Sequence, residues 1–136
     1  MRIIKAALVA TLLAAVAAVA GPGTAFASET SAGRPVVATF DVTGEQFKVK
    51  FTEPADIQLA YDILAGKPMD PMPFPIGTIV WDETDVNTGY TWHLNPVTWT
   101  EMATEVCDGR PQSDVETRSI TSPYYCPWGA VLIDLQ

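Results

Sequence analysis

The stretch VVATFDVTGEQFKVKFT, residues 36–52, decides how this sequence folds. Its first half is rich in β-branched residues and bounded by Pro35 and Gly44, which marks a strand over 36–43. Its second half alternates, with Phe47, Val49 and Phe51 on one side and Gln46, Lys48, Lys50 and Thr52 on the other. A period of two with one apolar face means a half-buried strand over 45–52. Thr43-Gly44 joins the two as a tight hairpin. The period then changes. Thr52 can cap a helix, Pro54 suits its first turn, and Ile57, Ala60, Tyr61 and Leu64 fall at i, i+3, i+4 and i+7. Asp56 lies near the positive end of the dipole and Gly66 supplies a stop. That stripe is expected to lie on the sheet.

Downstream the elements are shorter. Lys67 to Pro75 holds four prolines, an extended and rigid loop. Strands are expected at 76–81, 90–94, 103–107 and 128–135. Asn95-Pro96 reads as punctuation, 97–102 as a helical turn or irregular edge, and 111–123 as loop with a short strand near Val115. No solenoid-length repeat occurs. The fold class is α+β: a mainly antiparallel β-sheet with one helix packed on it.

The chain has 136 residues, enough for one domain. Sixteen acids against eight bases give a net charge of −8, which argues against nucleic acid or an anionic membrane surface as partner. Arg2 and Lys5, the apolar run from Ala6 to Ala20 and the triplet Ala25-Phe26-Ala27 read as a secretory signal peptide over 1–27. Residues 28–35 read as a flexible lead-in and 36–136 as a single globular domain. All the acids follow Ala27, where six bases remain, a net −10. A secreted, extracellular monomer is the expectation, because self-repulsion opposes association. Export places Cys107 and Cys126 in an oxidising space, so they are expected to pair. The bridge would close a loop of 18 residues, worth roughly 3 kcal/mol on the chain-entropy picture. Their spacing is far from a redox C-x-x-C.

Few residues suggest catalysis. His93 is the sole imidazole, and no nucleophile or orienting acid stands at a recognisable spacing from it. It reads as a hydrogen-bonded structural histidine in a strand. The acids Asp82, Glu83, Asp85, Glu101 and Glu105 read as solvated loop charge rather than a glycosidase pair. The turn from Asp82 to Gly89 crowds oxygen ligands but lacks the order of an EF-hand loop, so a polar turn is favoured over weak calcium binding and no metal or cofactor is expected. Of the aromatic residues, Trp92 and Trp128 are assigned to the core. Exposed aromatics beside carboxylates can hold sugars or proteins. Arg118, displayed on the cysteine loop, could enter a trypsin-like pocket, whereas Arg110 is expected to pair with Asp108 or Glu105.

The hairpin ATFDVTGEQFKVKFT, the helix ending ILAGK, and the runs YTWHLNP, EVCDGRPQSDVE and YCPWGAVLIDL stand in one order. Together they resemble the N-terminal domain of a slime-mould calmodulin-binding protein, a BP-type domain also found as small secreted actinobacterial proteins. The resemblance covers about Val37 to Asp134 and implies a fold and a secreted or modular habit. Calmodulin binding does not follow, because this acidic chain has no basic amphipathic helix.

The function expected from the sequence is a secreted, non-catalytic recognition domain whose surface loops bind an extracellular protein or glycan. The expected binding residues are Asp82, Asp85 and Asn87 on one turn, with Arg110 and Asp114 on the cysteine loop. The alternatives are a proteinase inhibitor using the tethered loop 108–125 and a small hydrolase using His93.

Overall fold

Thr43 and Gly44 both have positive φ, +52° and +90°, the backbone that a two-residue hairpin loop needs to match strand twist. The Asp41 carboxylate accepts the Gly44 N–H at 3.0 Å. This turn joins β1, Val36–Val42, to β2, Glu45–Phe51, in unbroken antiparallel register from Val36↔Phe51 to Val42↔Glu45. The structure, a computed structural model, describes residues 33–136. The expected signal peptide and most of the lead-in lie outside them. Among the described residues no helix is long and apolar enough to cross a membrane.

Helix α1, Pro54–Leu64, follows directly. Glu53 occupies the N-cap position without a side-chain cap, so Thr52 does not play the expected part; Pro54, which has no N–H to satisfy, opens the helix instead. At the other end Gly66 adopts φ +74°. Its N–H donates to Ile63 O at 2.9 Å and that of Lys67 to Asp62 O at 3.1 Å, the paired bonds of a Schellman stop. The buried face is Ile57 and Ala60, with Ile63 partly buried against the core. Tyr61 and Leu64 stay exposed, because a spacing of three carries the contact line away from the expected stripe. The Trp99 indole N–H donates to Asp56 O at 3.0 Å and ties the first turn to the sheet.

The rest of the chain builds β3, Phe74–Val80, β4, His93–Thr100, β5, Tyr124–Tyr125, and β6, Val131–Leu135. Two antiparallel three-stranded sheets result, ordered β2-β1-β6 and β4-β3-β5, where the sequence suggested one. Asn95-Pro96 has a cis peptide bond and lies inside β4, so the expected break there and the irregular 97–102 segment are one continuous strand. Residues 103–107 are irregular rather than a strand. Pro111–Glu116 is a short π-helical segment.

Aromatic rings join the two sheets. Phe51 of β2 stacks on Trp99 of β4 at 4.9 Å, and Phe47 meets Tyr125 edge-on at 5.2 Å. Trp92, fully buried, meets the same Tyr125 at 5.5 Å. Such pairs add about 0.5–1.5 kcal/mol each beyond their buried area. Trp92 is core as expected. Trp128 is not: it is 57% exposed. The Cys107–Cys126 disulfide forms as expected and packs with Phe74 in a satellite cluster.

Gly77 of β3 lies where β4 approaches most closely. A Cβ there would stand 2.8 Å from both Leu94 Cβ and the Pro96 carbonyl oxygen. Gly77→Ala is therefore expected to lower stability by about 1–3 kcal/mol, read from urea unfolding. An unchanged midpoint would show that β4 retreats freely.

Candidate functional site

The free edges of β2 and β4 face each other without a shared ladder. What bridges them is one side chain. Asn87 is 1% exposed; its Oδ1 accepts the Lys48 N–H at 2.9 Å and its Nδ2 donates to Trp92 O at 3.0 Å. The amide stands in for a missing pair of ladder bonds. The surrounding loop holds it there: the Asn87 N–H donates to Thr84 Oγ1 and its carbonyl accepts the Tyr90 N–H. Nearby, the Tyr90 hydroxyl donates to Gln46 O at 2.7 Å.

Beyond this bridge the two edges part, leaving a groove of about 390 Å³. Lys48 and Lys50 of β2 line it, with Glu53, Thr84, Asp85, His93 and Asn95 among the other walls. The backbone of β2 contributes as well. Antiparallel strands point successive residues' N–H and C=O pairs to opposite sides. Since the Lys48 N–H faces Asn87, Lys50 presents its N–H and C=O to the same open side.

His93 stands at the rim, its Nδ1 2.7 Å from Asp82 Oδ1. That nitrogen is buried, and the contact lies outside hydrogen-bond direction. The Asp82 side chain is 64% exposed, so water competes for its charge. Asp82 thus turns to His93, Asp85 to the groove and Asn87 inward. Among the described residues no three potential ligands of the types His, Cys, Asp and Glu gather to hold a metal ion.

The cysteine loop is a separate structure. Its π-helical segment is capped from a distance by Glu45, whose Oε2 accepts the N–H groups of Gln112 at 2.7 Å and Ser113 at 3.0 Å. The Ser113 hydroxyl donates to the same carboxylate. These bonds, the hydroxyl's foremost, hold the Glu45 carboxyl below the usual glutamate range. At the far end Glu116 accepts from the Thr91 N–H and hydroxyl, at 3.1 and 3.0 Å. Val115 between them is fully buried. Burial also pushes the Tyr125 phenol up, and its hydroxyl donates to Gly109 O at 2.9 Å.

Arg110 pairs with Asp114, not with the expected Asp108 or Glu105: Asp114 Oδ2 accepts the Arg110 N–H at 2.7 Å and its Nε at 3.4 Å. Four residues on, the helical backbone returns Asp114 to Arg110, whereas Asp108 accepts the Trp128 N–H. Arg118 lies over the Trp81 ring at 4.0 Å, with φ +60°. Of the five expected binding residues, Asp82 and Asp85 flank the groove, Arg110 and Asp114 share a local turn, and Asn87 is buried between sheets. The sequence reading missed Lys48 and Lys50 as groove residues, although their outward alternation was visible. It also missed Glu45 and Glu116; the run Pro111-Gln112-Ser113-Asp114, with Pro opening a turn and an acid inside it, was the available helix signal.

The family model of the BP-type N-terminal domain matches residues 34–136, and the chain belongs to that family. No curated protein and no solved structure matches the chain.

Because its folded value is lowered, Glu45 adds stability that is present above the ordinary glutamate range and lost as pH falls through the lowered value. Urea unfolding across an acid series is expected to show a shallower decline for Glu45→Gln than for the native chain. Parallel declines would mean the cap contributes nothing.

Proposed function

We propose that this family member is an exported, non-catalytic recognition domain that holds an extended segment of a partner protein in the groove between β2 and β4. The observation that carries the reading is the open β2 edge, with the Lys50 N–H and C=O facing the groove. An extended peptide adds to such an edge by main-chain bonds and is selected by its alternate side chains. Lys48 and Lys50 supply positive charge to the walls, and Glu53 and Asp85 negative. This mixture suits a segment carrying both signs and discourages like-charged ones. A glycan fits less well, since no tryptophan, tyrosine or phenylalanine lines the groove for a sugar ring to stack on. Export rests on the leader read in residues 1–27.

A second reading rests on the Asp82–His93 pair, a carboxylate beside an imidazole that faces a groove. That arrangement can orient a general base. The largely hydrated carboxylate and the poor contact direction favour recognition over catalysis. The inhibitor reading has less support still, since Arg118 stacks flat on Trp81 instead of projecting.

The test uses peptides selected on the purified protein from a displayed random library. They are expected to bind Lys50→Pro about tenfold more weakly than Lys50→Ala, because proline removes the groove-facing N–H and leaves the β1 ladder intact. Peptides indifferent to Lys50→Pro would sink the proposal. So would hydrolysis of ester or amide substrates that disappears in His93→Gln.

A further inference from the structure

Trp128 lies outside the core although it is large and apolar. Its ring leans over Phe74 at 6.3 Å. Between them opens a small hollow of about 130 Å³, lined by Phe74, Glu101, Met102, Ala103 and Trp128. The surrounding apolar groups are bare: Met102 is 77% exposed and Val106 87%. Their backbone is nonetheless held. Phe74 and Ala103 pack against the Cys107–Cys126 bridge, so the floor of the hollow is anchored covalently. The Trp128 N–H donates to Asp108 Oδ1 at 3.0 Å, and the Thr100 hydroxyl both donates to Met102 O and accepts from its N–H. An apolar surface fixed in place and left uncovered marks an interaction site.

Charge selects the occupant. Glu101 lines the hollow, and Glu105 and Asp108 follow it on the same exposed segment, with no base between residues 99 and 109. None of the three carboxylates joins an ion pair among the described residues. A second copy of this acidic chain would bring like charge to the same place, and a sugar would leave Met102 and Val106 without apolar contact.

We propose that this surface docks a basic segment of a partner protein, the methylenes of an Arg or Lys filling the hollow and its charge lying between the Trp128 ring and Glu101. Long cationic side chains bury their stems and keep their heads polar, and a tryptophan face attracts the cation. The site is independent of the β2–β4 groove.

The experiment titrates the protein with the peptide acetyl-Leu-Arg-Leu-Arg-amide and follows the Trp128 indole resonance by NMR. Saturable shifts are expected, weakened about tenfold in Trp128→Ala. They are expected to weaken also in Glu101→Gln/Glu105→Gln, whose apolar hollow is intact, and on raising salt. Lys50→Pro is expected to change nothing here, which separates this surface from the groove. The proposal is overturned by an absent or non-saturable shift, or by binding that survives Trp128→Ala. It is equally overturned if the Glu counterpart peptide or a chito-oligosaccharide produces the larger response, or if Trp128 is covered by self-association in sedimentation.

Discussion

The side-chain amide of Asn87 is the constraint on which this molecule turns. Two sheets that share no ladder must still be registered against each other, and their aromatic core is non-directional. Stacked rings such as Phe51 and Trp99 supply attraction without fixing which backbone atoms lie opposite. Asn87 does fix them, by giving the Lys48 N–H an acceptor and the Trp92 carbonyl a donor in a dry place. Buried polar groups of this kind are costly when unpaired and specific when satisfied. The same bridge also ends contact between the edges, so the groove opens where the amide's reach stops.

A comparable logic organises the cysteine loop. Six residues in a π-helical segment cannot hold themselves together, since so few turns gain little for their ordering entropy. The loop is stabilised from outside instead: Glu45 caps one end, Glu116 reaches from the other to Thr91, Val115 plugs the core, and the disulfide closes the base. The two acids are therefore structural despite their partial exposure. They spend their hydrogen-bonding capacity on the fold, whereas Glu101 and Glu105 have no side-chain partner among the described residues and remain available to a partner. This division, between carboxylates used internally and those left over, is what turns an acidic composition into particular surfaces.

The candidate site was partly legible. Asp82 and Asp85 were visible as a cluster in a turn, and they do border the groove. Asn87 belonged to the same cluster, yet nothing in a run of polar residues says which one turns inward. That depends on a backbone donor 39 positions earlier. His93 was isolated by its singularity, but its neighbour Asp82 is brought to it by the return of the chain between β3 and β4. Trp128 was misplaced for a related reason: hydrophobicity predicts burial on average, while the satellite cluster under Phe74 had room for the disulfide and not for an indole.

By itself the sequence determined what short-range physics determines. The alternation over 45–52, the Thr43-Gly44 turn, the period change into α1, its Gly66 stop and the cysteine pairing all depend on local geometry or on a count of two. Tertiary structure alone decided the split into two sheets, the continuity of β4 through Asn95-Pro96, and the groove, the capped loop and the bare tryptophan. Each of these depends on pairs far apart in the chain, and no local pattern records which distant donor an acceptor will meet.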